Sequence, residues 1–135
     1  MKKQKDILKE KQKKGRNLKR SRARGVAYEQ QIAKELRELG FDGVVTSRSE
    51  SKAMDDNKID LIDKNNQLFF YPQLKKTQKC PNYFAIEEQC PLKDKPFVIF
   101  WNYQKPTEKT FRSGGEIVML PKSFFYELIK KYGNS

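Results

Sequence analysis

Four side chains have the types and spacing that metal-assisted chemistry on a phosphodiester needs: Glu29, Asp60, Gln73 and Lys75. Asp60 lies in a short apolar run, Ile59-Asp60-Leu61-Ile62. Gln73 and Lys75 stand two apart in the stretch Phe69-Phe70-Tyr71-Pro72-Gln73-Leu74-Lys75-Lys76. Magnesium takes oxygen ligands from one or two carboxylates and fills its shell with water and substrate. Asp60, Glu29, the amide oxygen of Gln73 and the backbone carbonyl of Leu74 make such a donor set. Lys75 could orient the attacking water or stabilise charge building on the phosphate. An ordinary polar strand face would carry the same Gln-x-Lys pattern without any of this chemistry.

The rest of the composition narrows the field. Histidine is absent, which excludes Ser-His-Asp and Cys-His catalysis and histidine-ligated zinc. The two cysteines, Cys80 and Cys90, lack partners for a four-ligand zinc site and read as structural. A disulfide between them is disfavoured in a reducing cytosol. The 135 residues carry 29 Lys and Arg against 17 Asp and Glu, a net charge of +12. That balance points to a polyanion such as nucleic acid. No apolar run has the length of a spanning helix, and the first residues lack the pattern of a secretory signal. The expectation is a cytoplasmic protein with no membrane partner.

The elements that must position the four residues can be read from periodicity. From about Ala23 to Gly40 the pattern is helical, with Val26, Ile32, Ala33, Leu36 and Leu39 on its apolar stripe. Glu29 falls on that stripe, where a carboxylate needs a cation or a paired arginine. Phe41 to Thr46 reads as a strand, and Ser47 to Lys58 as a polar loop. Ile59–Ile62 and Gln67–Lys75 read as two strands of a hairpin across the turn Asp63-Lys64-Asn65-Asn66. Period 2 then puts Gln73 and Lys75 on one face, which the hairpin brings to Asp60. Pro72 argues for an edge strand or bulge. Tyr83 to Cys90 reads as a helix, Pro96 to Tyr103 as a buried central strand, Glu116 to Leu120 as a strand and Ser123 to Tyr132 as an amphipathic helix. This order implies a mixed α/β domain with its sheet sandwiched between helices.

Charge is concentrated at the start. Residues 1–24 hold 12 of the basic residues and only Asp6 and Glu10 of the acids, so they carry +10 and leave +2 to the rest. With few apolar residues, this arm is expected to be disordered or loosely helical and to neutralise phosphates. Residues 25–135 form the expected folded domain.

The order Glu29 on a first helix, Asp60 on a short strand, then Gln73-x-Lys75 on its neighbour resembles the PD-(D/E)XK nuclease superfamily. Within it the chain resembles Holliday junction resolvases of the archaeal and phage type. The matching segments are Arg24-Gly25-Val26-Ala27-Tyr28-Glu29, Leu39-Gly40-Phe41, the loop Thr46-Ser47-Arg48-Ser49-Glu50-Ser51, Lys75-Lys76-Thr77-Gln78 and Glu88-Gln89, over about residues 24 to 130. The resemblance implies a restriction-endonuclease-like mixed sheet flanked by helices. It implies a magnesium-dependent endodeoxyribonuclease, with manganese as a substitute, that resolves branched DNA in recombination or repair, often as a homodimer. Phage origin suits the small size, and would place the protein in the host cytoplasm. Glu29, Asp60, Gln73 and Lys75 become the catalytic set. Arg48 and a loop serine become phosphate contacts, with Ser49 and Ser51 as candidates beside Ser47. Arg20, Arg22, Arg24, Lys76 and Lys79 are further candidate DNA contacts. The chain departs from the pattern at Gln73, where an acid is usual, at Ile59, where proline is common, and at Pro72. Those departures leave a second reading, a non-catalytic nucleic-acid-binding protein on a degenerate nuclease fold, and a third, a nuclease of the superfamily that cuts plain duplex.

Overall fold

The computed structural model describes residues 22–133. Most of the expected arm, residues 1–21 with Arg20, lies outside the described residues. Residues 22–24 are already helical and continue into α1, residues 22–38. They therefore belong to the first helix rather than to the arm. The elements that follow are β1 (Val44–Thr46), α2 (Ser47–Glu50), α3 (Lys52–Asp56), β2 (Leu61–Asp63), β3 (Tyr71–Thr77), α4 (Tyr83–Glu88), β4 (Phe97–Pro106), β5 (Phe111–Met119) and α5 (Lys122–Gly133). No helix among the described residues is long and apolar enough to cross a membrane.

The result is a mixed α/β fold with two sheets. β1 and β2 form an antiparallel pair. β3, β4 and β5 form a mixed sheet in that order, with β3 parallel to β4 and β4 antiparallel to β5. A parallel β3–β4 pair needs a crossover, and α4 supplies it. One apolar cluster joins Tyr28, Ile32, Ala33 and Leu36 of α1 to Val44, Leu61, Leu68 and Leu74. The other joins Ile59, Tyr71, Cys90, Phe97 and Ile99, with Met54, Tyr83 and Ile86 against it. The three-stranded sheet thus has α1 packed on one face and α4 on the other.

The expected hairpin of Ile59–Ile62 with Gln67–Lys75 does not form a ladder. β2 pairs with β1 instead. Contact with β3 is a single backbone bond, Asp60 N–H to Pro72 O at 2.9 Å. Pro72 has no N–H to return to the Asp60 carbonyl. That carbonyl accepts instead from Ser47 N–H at 2.8 Å. Pro72 is accommodated because β3 is an edge of its sheet.

Other expectations change in detail. The polar stretch 47–58 is not a loop but holds α2 and α3, the latter capped by Ser51, whose side chain accepts from Met54 N–H. β1 is shorter than expected, starting at Val44. β5 begins at Phe111 rather than Glu116, because the ladder to β4 also recruits Arg112 to Gly115, which have no apolar alternation. Leu39 lies in the turn after α1 and is 76% exposed, and the buried residue the stripe lacked is Tyr28. The amphipathic reading of α5 predicts a buried face, yet only Phe124 is buried while Phe125, Tyr126 and Ile129 are about half exposed. Cys90 is buried in the core, whereas Cys80 is exposed and both are free thiols.

Ser47 ties α2 to the segment that carries Asp60. Its side chain is fully buried and its hydroxyl donates to the Ile59 carbonyl. Ser47→Ala leaves that carbonyl without this donor and should lower stability by about 1–3 kcal/mol. Urea unfolding measures this; an unchanged midpoint would show that the hydroxyl does not anchor the segment.

Candidate functional site

Six polar or charged residues are buried among the described ones, and three of them are Glu29, Asp60 and Gln73, with 7%, 8% and 5% exposure. Burying polar groups is unfavourable unless each is partnered. The partners of these three define the site.

Asp60 is held by the edge of β3. Its Oδ2 accepts from Leu74 N–H at 2.7 Å. A ladder would have given that N–H to a backbone carbonyl. The side chain takes the place of the missing ladder bond, so it is fixed beside the Gln73-Leu74-Lys75 segment. Burial pushes the Asp60 carboxyl up to about 7, against the Leu74 hydrogen bond that favours its charged form. Glu29 and Asp55 repel its charge and raise it further, while Lys75 lowers it. Glu29, Asp55 and Lys75 are thus the charged side chains whose fields reach Asp60. Of the adjacent acids Asp55 and Asp56 on α3, Asp55 acts on the Asp60 carboxyl, while Asp56 is exposed.

Glu29 lies on the buried side of α1. It is gripped by Arg48, with Nε to Oε2 at 3.3 Å and Nη2 to Oε1 at 3.2 Å. Of the two readings of Glu29 in the sequence, the structure shows the pairing with an arginine. Arg48, expected on phosphate, has its guanidinium turned to Glu29 while its side chain stays 52% exposed.

Gln73 differs from the others. Its Oε1 is a buried side-chain oxygen with no hydrogen-bond partner among the described residues. Such an atom costs about 1–3 kcal/mol. A divalent cation is the group that the sequence pattern implies here, and the donor chemistry fits it. Asp60, and the unsatisfied Gln73 oxygen one residue from the Leu74 N–H that holds Asp60, are both oxygen donors of the kind magnesium takes. Lys75 follows on the same face, half-buried. Among the described residues, however, there is no group of three or more acidic or cysteine side chains placed to hold a metal. Any cation here would depend on the amide oxygen, on backbone carbonyls and on substrate.

The candidate DNA contacts separate. Ser47 is buried and structural. Ser51 caps α3, and Ser49 is exposed, bonded to Thr46 through its hydroxyl. Arg22 is exposed at the start of α1, and Arg24 lies over the Phe111 ring at 5.6 Å. Lys76 is half-buried. Lys79 is exposed and, with Lys75, lines an open cavity of about 310 Å³. Sequence reasoning missed Trp101 and Tyr103, which the β3–β4 register sets opposite Lys75 and Thr77. It also missed the buried network in which Gln104 Nε2 and Ser113 Oγ donate to Asn102 Oδ1 at 3.1 and 2.7 Å. Only the strand register, absent from periodicity, could have found either.

No protein-family model, curated protein or solved structure matches this chain.

The Asp60 carboxyl has a sign-definite effect on stability. Its folded value near 7 lies above the unfolded value of about 3.9. Between these pH values the folded chain holds a proton that the unfolded chain has released. Its contribution is therefore full below about pH 4 and is lost as pH rises through about 7. Asp60→Asn cannot lose a proton. In EDTA it should melt about 5 °C or more above the parent at pH 8, with the difference gone at pH 4. Thermal denaturation at the two pH values checks this; a variant less stable than the parent at pH 8 contradicts the buried-charge account.

Proposed function

We propose that the protein is a divalent-metal-dependent DNA endonuclease whose site is Asp60, Gln73 and Lys75 with Glu29 behind them, acting on branched DNA such as four-way junctions. The observation that carries this reading is the unpartnered, buried Gln73 Oε1 next to the residue that clamps Asp60. An unpartnered buried oxygen costs stability, and a bound ligand would supply the missing partner. The buried, raised carboxyl of Asp60 supports the same reading, because perturbed groups concentrate at functional sites. The mixed α/β architecture is compatible with it.

Asp60 and Gln73 would hold the cation, with the Leu74 carbonyl as a third donor. When bound, the metal supplies a Lewis acid for the phosphate and an acidified water. The chain's own groups do the rest. Arg48 fixes Glu29, and Glu29 sets the field at Asp60. Lys75 brings a positive charge to the phosphate and a hydrogen-bond donor to the attacking water. The net charge of +12 supports a polyanionic substrate and predicts steep salt dependence. A homodimer would present two such sites to two strands.

A second reading has its own observation. Glu29 is already paired with Arg48, and the usual acid is Gln73, so the site holds less negative charge than a metal centre ordinarily does. A DNA-binding protein on a retired site fits that feature.

Cleavage of a labelled four-way junction, a linear duplex and a single strand, in Mg²⁺, Mn²⁺ or EDTA, separates the readings. Metal-dependent cutting is expected, reduced at least about 100-fold in Asp60→Ala and in Lys75→Ala. Binding of all three DNAs with no cut in either metal would sink the nuclease reading. Gln73→Glu adds a third buried carboxylate to those of Glu29 and Asp60. It should lower the melting temperature in EDTA and gain more from added Mg²⁺ than the parent does. No larger gain from Mg²⁺ than the parent shows would remove Gln73 from the ligand set.

A further inference from the structure

We infer that Trp101 and Tyr103 form a stacking platform for an unpaired base of single-stranded DNA beside Lys75. The inference rests on the reading of the Asp60–Gln73–Lys75 cluster as a phosphodiester site, and it gives that site a preference for DNA unpaired at the point of attack.

The register of the parallel pair sets Trp101 opposite Lys75 and Tyr103 opposite Thr77. Cross-strand neighbours share a face of the sheet, so the two rings lie on the Lys75 face. They touch each other, with centroids 5.5 Å apart and planes at 46°. Both are half-buried, so each keeps part of its surface in solvent.

Each ring is held in place. Trp101 Nε1 donates to Thr77 O and Thr77 Oγ1, both at 3.1 Å. Tyr103 lies against the β5 backbone at Gly114, where an added Cβ would come 2.6 Å from its ring. The ladder pairs Tyr103 with Gly115 and Gln104 with Ser113, so Gly114 is the residue bulged out of register. Only glycine leaves room for the ring there. Rings fixed in this way are pre-organised, and a ligand that stacks on them need not pay for ordering them.

The surroundings suit a phosphate backbone. The cavity next to Lys75 is lined by Lys75, Thr77, Lys79, Cys80, Pro81, Asn82 and Ile86, with two cations and no acid. Aromatic rings on a sheet flanked by lysines bind single strands through stacked bases and neutralised phosphates. A base inside a duplex has both faces covered by its neighbours and cannot use such a surface. The occupant is therefore a base that has left the stack, as at the branch point of a junction or flap.

Trp101 is the one tryptophan of the chain, so its fluorescence reports the platform directly. The test uses the full chain in EDTA, which makes it independent of cutting, at salt high enough to weaken general phosphate binding. Titration with a short oligothymidylate should quench Trp101 to saturation, while a blunt duplex leaves its emission unchanged. By fluorescence anisotropy, Tyr103→Leu should weaken oligothymidylate binding at least about fivefold and leave duplex binding unchanged. Tyr103→Phe should behave as the parent. The inference is overturned by failure to bind oligothymidylate, by binding that leaves Trp101 emission unmoved, or by a Tyr103→Leu variant that weakens both DNAs equally or neither. Quenching in a protein that never cuts would retire the nuclease and keep the platform; cutting without quenching would do the reverse.

Discussion

The Asp60 carboxylate occupies a position that a strand ladder would give to a backbone carbonyl. Its bond to Leu74 N–H, 2.7 Å long, closes β3 on the side where no strand pairs with it. Pro72 makes this possible. Lacking an N–H, it interrupts pairing at the residue before Gln73 and releases the Asp60 carbonyl to Ser47. One imino acid thus diverts β2 to β1, anchors α2, and leaves a carboxylate to satisfy Leu74. Around that bond the other groups find their places: Lys75 one residue on, Asp55 on α3, and Glu29 on the buried face of α1.

This arrangement stores unfavourable energy. A carboxyl is pushed up to about 7 by burial and by neighbouring acids. A buried amide oxygen has no partner among the described residues. Packing alone would have removed both with apolar residues, and such concentrations of strain are where proteins bind ligands or do chemistry. The buried Asn102–Gln104–Ser113 network shows the contrast, since its hydrogen bonds run from one side chain to the next. Arg48 plays the corresponding part for Glu29, satisfying both its oxygens while leaving Asp60 and Gln73 as the unsettled pair.

The three-stranded sheet extends the site beyond the motif. Because β3 runs parallel to β4, residues about 26 positions away in sequence become immediate neighbours of the motif lysine: Lys75 meets Trp101 and Thr77 meets Tyr103. The β4–β5 bulge adds Gly114 beneath the tyrosine ring. A basic cavity and a fixed aromatic pair then flank the same lysine.

By itself the sequence determined a good deal. Helical spacing located α1 and put Glu29 on its buried side. Turn residues and apolar runs located β2, β3, β4 and both later helices. The residue types, without histidine and with an acid, an amide and a lysine in order, excluded histidine-based catalysis and led to the proposal of a metal-assisted site. These are local properties, set by periods of two and 3.6 residues. What only the tertiary structure decided is partnership. The hairpin reading failed because a proline's missing donor matters only once a strand is laid beside it. Ser47 was one of three loop serines left open as phosphate contacts, and its burial against Ile59 takes it out of that set. Leu39 followed the stripe but lies beyond the core, while Tyr28 fills it. Trp101 and Tyr103 read as members of an apolar strand, and only the register beside β3 set them next to Lys75. Hydrogen bonds and burial between distant segments depend on pairing and register, and neither is written in the spacing of residues along one segment.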